Sequence, residues 1–124
     1  MLVLLIIVIL ILLFAAFRYF QQRTYLKVLT EEEFRQGYRK AQLIDVREPQ
    51  EYEAGHILGA RNIPLTQLKQ RLVELRADKP VYLYCQGSTR SKRAAHILYK
   101  KGFKDLNILK GGFKHWTGKI KSKK

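Results

Sequence analysis

Cysteine occurs once in these 124 residues, at Cys85. A lone thiol excludes an intramolecular disulfide framework and suits a reducing compartment. Structural zinc from this chain alone would need about four N or S ligands, and His56, His96 and His115 show no ligand spacing, so no metal is expected. Acids are scarce: Asp+Glu number 10 against 24 Lys+Arg, a formal net charge of +14 at pH 7. The first acid is Glu31, and positions 1–17 hold no charged side chain of either sign. Proline is limited to Pro49, Pro64 and Pro80, each at the edge of an apolar stretch. The length allows one ordinary domain and leaves no room for two.

The uncharged start, MLVLLIIVILILLFAAF, rises about 25 Å as a helix, and about 30 Å once Tyr19 and Phe20 are added, which matches a bilayer core. A cleavable signal peptide needs a basic start, a shorter apolar run and a small-x-small cleavage site. Here no Lys or Arg precedes the run, and Phe14-Ala15-Ala16-Phe17 is bulky at its ends. A core helix apolar on every side would need a larger domain around it. Residues 1–20 are therefore expected to be an uncleaved, single-pass transmembrane signal anchor in contact with membrane lipid, and 21–25 a juxtamembrane linker. Arg18, Arg23 and Lys27 follow the span, and the positive-inside bias puts the carboxyl side in the cytoplasm. Tyr19, Phe20 and Tyr25 suit the interface. The expected location is the cell membrane, with the rest of the chain on the cytoplasmic side.

Beyond the span, β-prone runs alternate with helical patterns. Leu26-Lys27-Val28-Leu29 reads as a strand, and Thr30 followed by Glu31, Glu32 and Glu33 opens a helix with a capping box that ends before Gly37. Ala41-Gln42-Leu43-Ile44-Asp45-Val46 is a second strand, stopped by Pro49. Residues 51–54 make a helical turn closed by Gly55, and 57–63 a turn with a brief extended piece. From Thr66 the spacing of Leu68, Leu72, Val73 and Leu75 predicts a helix. Val81-Tyr82-Leu83-Tyr84 suits a strand buried on both faces, residues 91–101 a helix stopped by Gly102, Leu106-Asn107-Ile108-Leu109 a last strand, and Phe113 to Trp116 a short helix. This alternation implies an α/β fold with a mostly parallel central sheet flanked by helices.

In such a sheet, ligands gather outside the carboxyl ends of the strands, where Cys85 stands. The loop after it, Gln86-Gly87-Ser88-Thr89-Arg90-Ser91, leads into a helix, so its N–H groups can form an anion nest at the positive helix pole. Arg90 adds a charged fork. These features favour the nucleophilic thiolate. Cys85 is the candidate nucleophile, with Gln86, Gly87, Ser88, Thr89, Arg90 and Ser91 as the candidate substrate-binding loop. Asp45, Arg47, Glu51 and Glu53 read as ion pairs of the scaffold, and Trp116 as a core aromatic.

Three blocks together resemble the rhodanese family of single-domain sulfurtransferases. They are the stretch from Asp45-Val46-Arg47-Glu48-Pro49 to Gly59-Ala60-Arg61-Asn62-Ile63-Pro64-Leu65, the Cys85 loop, and Leu109-Lys110-Gly111-Gly112-Phe113 with Trp116 and Gly118. The resemblance implies a rhodanese-like domain over 26–118, preceded by the anchor and followed by a basic tail at 119–124. It implies that Cys85 takes a sulfane sulfur from a small donor such as thiosulfate or a persulfide, holds it as a persulfide, and passes it to a thiol or cyanide acceptor, with no cofactor. Related sequences commonly carry glycine at the fourth loop position, counting the cysteine as first. Here Gly87 is third and Ser88 fourth, and a position needing positive φ would strain a serine.

Two other classes compete. Tyrosine-phosphatase chemistry uses a C-x5-R loop, whereas only Gln86, Gly87, Ser88 and Thr89 separate Cys85 from Arg90. A membrane-tethered, non-catalytic binding or sulfur-relay module would keep the same cysteine. From position 90 onward Asp105 is the sole acid among many Lys and Arg. Anionic lipid ranks first as the partner of this basic face, plain solvation second and nucleic acid third.

Overall fold

The computed structural model describes residues 1–122; Lys123 and Lys124 of the basic tail lie outside the described residues, as do the side chains of residues 21–25, Arg23 and Tyr25 among them. Helix α1 spans Leu2–Tyr25. Within it Leu2–Phe20 has a mean hydropathy of 2.9 and none of it is buried, so it is long and apolar enough to cross a membrane by length and composition. The helix continues over 21–25, and β1, Leu26–Leu29, begins at the next residue.

Helix α2, Glu31–Gly37, starts as its capping box requires: the Glu33 amide donates to Thr30 Oγ1 at 3.2 Å, and the Thr30 amide donates to Glu33 Oε1 at 3.0 Å. A 3₁₀ turn over Tyr38–Lys40 leads to β2, Gln42–Asp45. Pro49 stands at the first position of α3, Pro49–Ala54, where its missing N–H costs nothing. Strands β3, His56–Ile57, and β4, Arg61–Asn62, follow, and then β5, Val81–Tyr84, α4, Thr89–Lys100, β6, Leu106–Leu109, and β7, Ile120–Lys121.

Five strands form one sheet in the order β1-β6-β5-β2-β4, every pair parallel. Both faces are covered, as a parallel sheet demands. Val81 and Leu83 of β5 join Ile44, Ile108 and the α4 residues Ala94, Ala95 and Leu98 on one side. Tyr84 and Leu109 join Phe34, Tyr38 and Ile57 on the other, with Trp116 packed against them. The chain leaves β2 toward β4 and leaves β5 toward β6, so the strand order reverses between β2 and β5, the place at the carboxyl ends of a parallel sheet where ligands gather.

The helix expected from Thr66 is replaced by two 3₁₀ turns, Leu65–Gln70 and Leu72–Glu74. Leu68 and Leu75 are buried, but Val73 is 92% exposed, so the apolar spacing does not describe one continuous face. Arg71, at φ −113° and ψ 19°, ends the first turn and begins the second. The basic tail also holds a strand: β7 pairs antiparallel with β3, joining His56 to Lys121 and Ile57 to Ile120.

Candidate active site

Cys85 follows the last residue of β5 and is 1% exposed. Burial of its neighbours Leu83 and Tyr84 fixes the strand end, and the chain then turns at once into α4. Through that turn the Ser91 amide donates to Cys85 Sγ at 3.3 Å. The Cys85 thiol donates to Ser91 Oγ at 3.5 Å, and the Ser91 hydroxyl donates to the Ser88 carbonyl at 2.9 Å. Ser91 itself is fully buried.

The closing Gly-Gly block clamps this loop from outside. The Phe113 amide donates to the Cys85 carbonyl at 2.8 Å and the Lys114 amide to the Gln86 carbonyl at 3.3 Å. Gly112 is required for that approach. It sits at φ +68°, and a Cβ there would lie 2.1 Å from the Gly87 oxygen and 2.7 Å from the Cys85 oxygen.

The segment after β2 reaches the cysteine loop from the neighbouring strand. The buried Arg47 guanidinium donates to both oxygens of buried Asp45, with the shortest bond 2.7 Å from Nη2. It also donates to the Gly55 carbonyl at 2.7 Å and to Gln86 Oε1 at 3.1 Å. Its guanidinium carbon lies 4.3 Å from the centre of the Phe113 ring. One side chain thus ties all three sequence blocks together. Glu51 of α3 accepts two hydrogen bonds from Arg90, at 2.7 and 2.9 Å. The Arg90 fork, helped by the Glu48 amide, holds the Glu51 carboxyl down to about 2. Beneath, burial pushes the Tyr84 phenol up, and its oxygen accepts from the Ile57 amide at 3.0 Å.

The residues expected around Cys85 are distributed as follows. Gln86 is exposed and bound through its side chain to Arg47. Gly87 is half-buried with open space where a Cβ would stand. Ser88 precedes α4 at φ −139°, and no non-glycine residue among those described has positive φ, so serine at the fourth loop position carries no backbone strain. Thr89 is exposed at the start of α4. Arg90 is half-buried and committed to Glu51 instead of presenting a free fork. Arg47, Glu51 and Gly112 were not expected beside the loop. Applying the carboxyl-end rule to β2 as well as β5 would have placed Arg47 there; no local signal marks Glu51. Among the described residues no three His, Cys, Asp or Glu side chains converge as a metal site.

The Cys85 sulfur stands at the amino end of α4, facing the Ser91 amide, and its loop is braced by the other two sequence blocks. Residues 30–119 match the Rhodanese-like domain family. This chain belongs to the rhodanese-like family. The rhodanese-like chain is 65% identical over 124 residues to the uncharacterized protein YqhL of Bacillus subtilis (strain 168), covering 100% of this chain and 98% of that protein. It is 31% identical over 93 residues to the thiosulfate sulfurtransferase GlpE of Pseudomonas paraeruginosa (strain DSM 24068 / PA7), covering 75% of this chain and 84% of that one. Among solved structures it is similar to a rhodanese-like domain protein from Staphylococcus aureus, with 25% identity, a TM-score of 0.71, and coverage of 79% of this chain and 99% of that chain.

Proposed function

We propose that this rhodanese-like protein transfers a sulfane sulfur from a donor such as thiosulfate to a thiol or cyanide acceptor through a persulfide on Cys85. The observation that carries the reading is the Ser91 amide directed at Cys85 Sγ, 3.3 Å away, in the first turn of α4. A relative named thiosulfate sulfurtransferase supports it.

In the first displacement the Cys85 thiolate attacks the outer sulfur of thiosulfate. The donor S–S bond breaks, sulfite leaves with the electron pair, and the Sγ–S bond forms. In the second, a thiolate or cyanide attacks the terminal sulfur, and Sγ leaves as the thiolate that began the cycle. Each step is covalent catalysis by exchange at sulfur. The amides of the loop from Gln86 to Ser91 and the pole of α4 stabilise the negative charge of the donor and of the persulfide. The Ser88 and Thr89 hydroxyls assist. Arg90, with both terminal nitrogens engaged by Glu51, contributes position and field instead of a vacant fork. Steady-state rates with thiosulfate and cyanide varied together test this: parallel double-reciprocal lines and no turnover in Cys85→Ser are expected, and turnover surviving in Cys85→Ser would refute it.

The chain is held in the cell membrane by Leu2–Phe20, with the rhodanese-like domain in the cytoplasm. The fully exposed apolar span supports this, as do Arg18, Arg23 and Lys27 after it. Protease should digest the domain in inverted membrane vesicles and spare it in right-side-out ones; the opposite pattern would reverse the orientation.

A further inference from the structure

The carboxyl ends of the parallel strands carry the Cys85 loop; their amino ends carry a different chemistry. Helix α1 ends at Tyr25 and β1 begins at Leu26, so the apolar helix joins the sheet at the amino end of its edge strand. Because all five strands are parallel, the amino ends of the other four lie on that same side.

Basic residues lead into three of those ends, at β2, β5 and β6, whereas Gly59 and Ala60 lead into β4. Arg39 and Lys40 precede β2, Lys79 precedes β5, and Lys100, Lys101 and Lys104 lie at the turn from α4 into β6. All six are exposed. The nearby acids are already engaged, Asp78 by Arg76 at 2.9 Å, Asp105 by Lys27 at 3.6 Å and Glu74 by Arg71 at 2.6 Å. Among the described residues none of the six cations has an acidic partner within salt-bridge distance. A cleft of about 370 Å³ lined by Lys69, His96, Ile97, Lys100 and Lys101 opens beside Lys100 and Lys101. The fold therefore divides the basic carboxyl-terminal half: Arg90, Lys92, Lys110 and Lys114 go to the loop end, and Lys100, Lys101 and Lys104 to the anchor end.

We infer that the amino edge of the sheet is a membrane-docking surface whose partner is the anionic headgroup layer, and that the loop after Cys85 lies at the opposite edge, toward the water phase. This rests on reading Leu2–Phe20 as a span. Basic groups close to an anionic leaflet are drawn to it, and the anchor holds this edge beside the bilayer. A four-residue strand is about 13 Å long, more than the Debye length of about 8 Å at physiological salt. The Cys85 loop thus lies outside most of the leaflet's negative field, where an anionic donor is not repelled. Donor and acceptor reach the sulfur from solution, not from the lipid.

The test uses the full chain with Cys85→Ser and a single reporter cysteine, at Lys101→Cys or at Lys114→Cys. Each is labelled with an environment-sensitive fluorophore and reconstituted in phosphatidylcholine vesicles with or without phosphatidylserine, with a headgroup-attached quencher. Quenching several-fold stronger at position 101 than at 114 is expected with phosphatidylserine, and the difference should collapse in phosphatidylcholine alone or when Lys100→Glu and Lys104→Glu are added. Equal quenching at both positions, stronger quenching at 114, or indifference to phosphatidylserine would overturn the inference. So would a labelled RNA that binds the detergent-solubilised chain through the same lysines while lipid has no effect. An alkaline carbonate wash separates the two readings: release from the vesicles refutes the span itself, whereas retention with the wrong quenching pattern refutes only the docking surface.

Discussion

Arg90, at the foot of α4, is held by Glu51 of α3 through two hydrogen bonds, 2.7 Å from Nη1 and 2.9 Å from Nη2. The two residues are 39 positions apart in the chain. Their pairing fixes the charged end of the cysteine loop to the segment that follows β2, as Arg47 does through Gln86. The six-residue cradle around Cys85 is therefore braced by side chains from outside it.

This pair makes acid stability depend on Glu51. Its carboxyl lies at about 2 instead of the ordinary 4.5. A lowered folded-state value gives stabilisation that is full above the unfolded value and disappears as pH falls through the folded one. Both side chains are about one-third exposed, 35% for Arg90 and 34% for Glu51, so solvent screening reduces the effect. Thermal melts of the parent chain and of Glu51→Gln should differ near neutral pH and converge as pH falls from 4.5 toward 2. A gap that stays constant over this window would contradict the assignment.

Removing Arg47 should cost far more. Arg47→Ala leaves Asp45, which is 0% exposed, as an uncompensated buried charge, a loss of about 3–5 kcal/mol. Arg47→Lys keeps the charge but cannot span Asp45, Gly55 and Gln86 at once, and an intermediate loss is expected. Urea unfolding followed by tryptophan fluorescence reads both, because half-buried Trp116 packs against the core residues Phe34 and Tyr38.

Two glycines near the loop should respond in opposite ways. In Gly112→Ala the new methyl group collides with three loop carbonyls at a left-handed φ of +68°, and backbone strain of about 1–3 kcal/mol is expected. In Gly87→Ala the methyl group meets nothing within 4 Å, so stability should hold or rise by about 0.4–1 kcal/mol. Melting temperatures of the two variants compare them directly.

Ser91→Ala keeps the amide that faces Cys85 Sγ and removes the hydroxyl that links the thiol to the Ser88 carbonyl. Once Cys85 is ionised, the Ser91 hydroxyl can turn from the Ser88 carbonyl and donate to Sγ; loss of one such bond is worth about 1 kcal/mol, which corresponds to roughly fivefold in rate. Rapid-quench measurement of persulfide formation should show a fall of that size, with the fold intact by circular dichroism.

The strand, loop and helix around Cys85 were legible because Val81-Tyr82-Leu83-Tyr84 is uniformly β-prone and small residues follow it at once. The capping box at Thr30 was legible because it is purely local. Leu65–Gln70 and Leu72–Glu74 were not legible as 3₁₀ turns: Leu68 and Leu75 fill the core, whereas helical spacing also selects Val73, which is 92% exposed. The braces on the loop were hidden for another reason. Arg47 to Gln86 and Glu51 to Arg90 are contacts across 39 residues, created by the adjacency of β2 and β5. The same holds for β7, whose pairing with β3 leaves no mark in a lysine-rich tail.

The decisive measurement is the intact mass of the full chain after incubation with thiosulfate, beside Cys85→Ser. A gain of one sulfur atom on the parent chain, removed by cyanide and absent from Cys85→Ser, is the expected result. An unmodified parent chain with a native circular dichroism spectrum, or an equal gain on Cys85→Ser, would contradict the persulfide on Cys85.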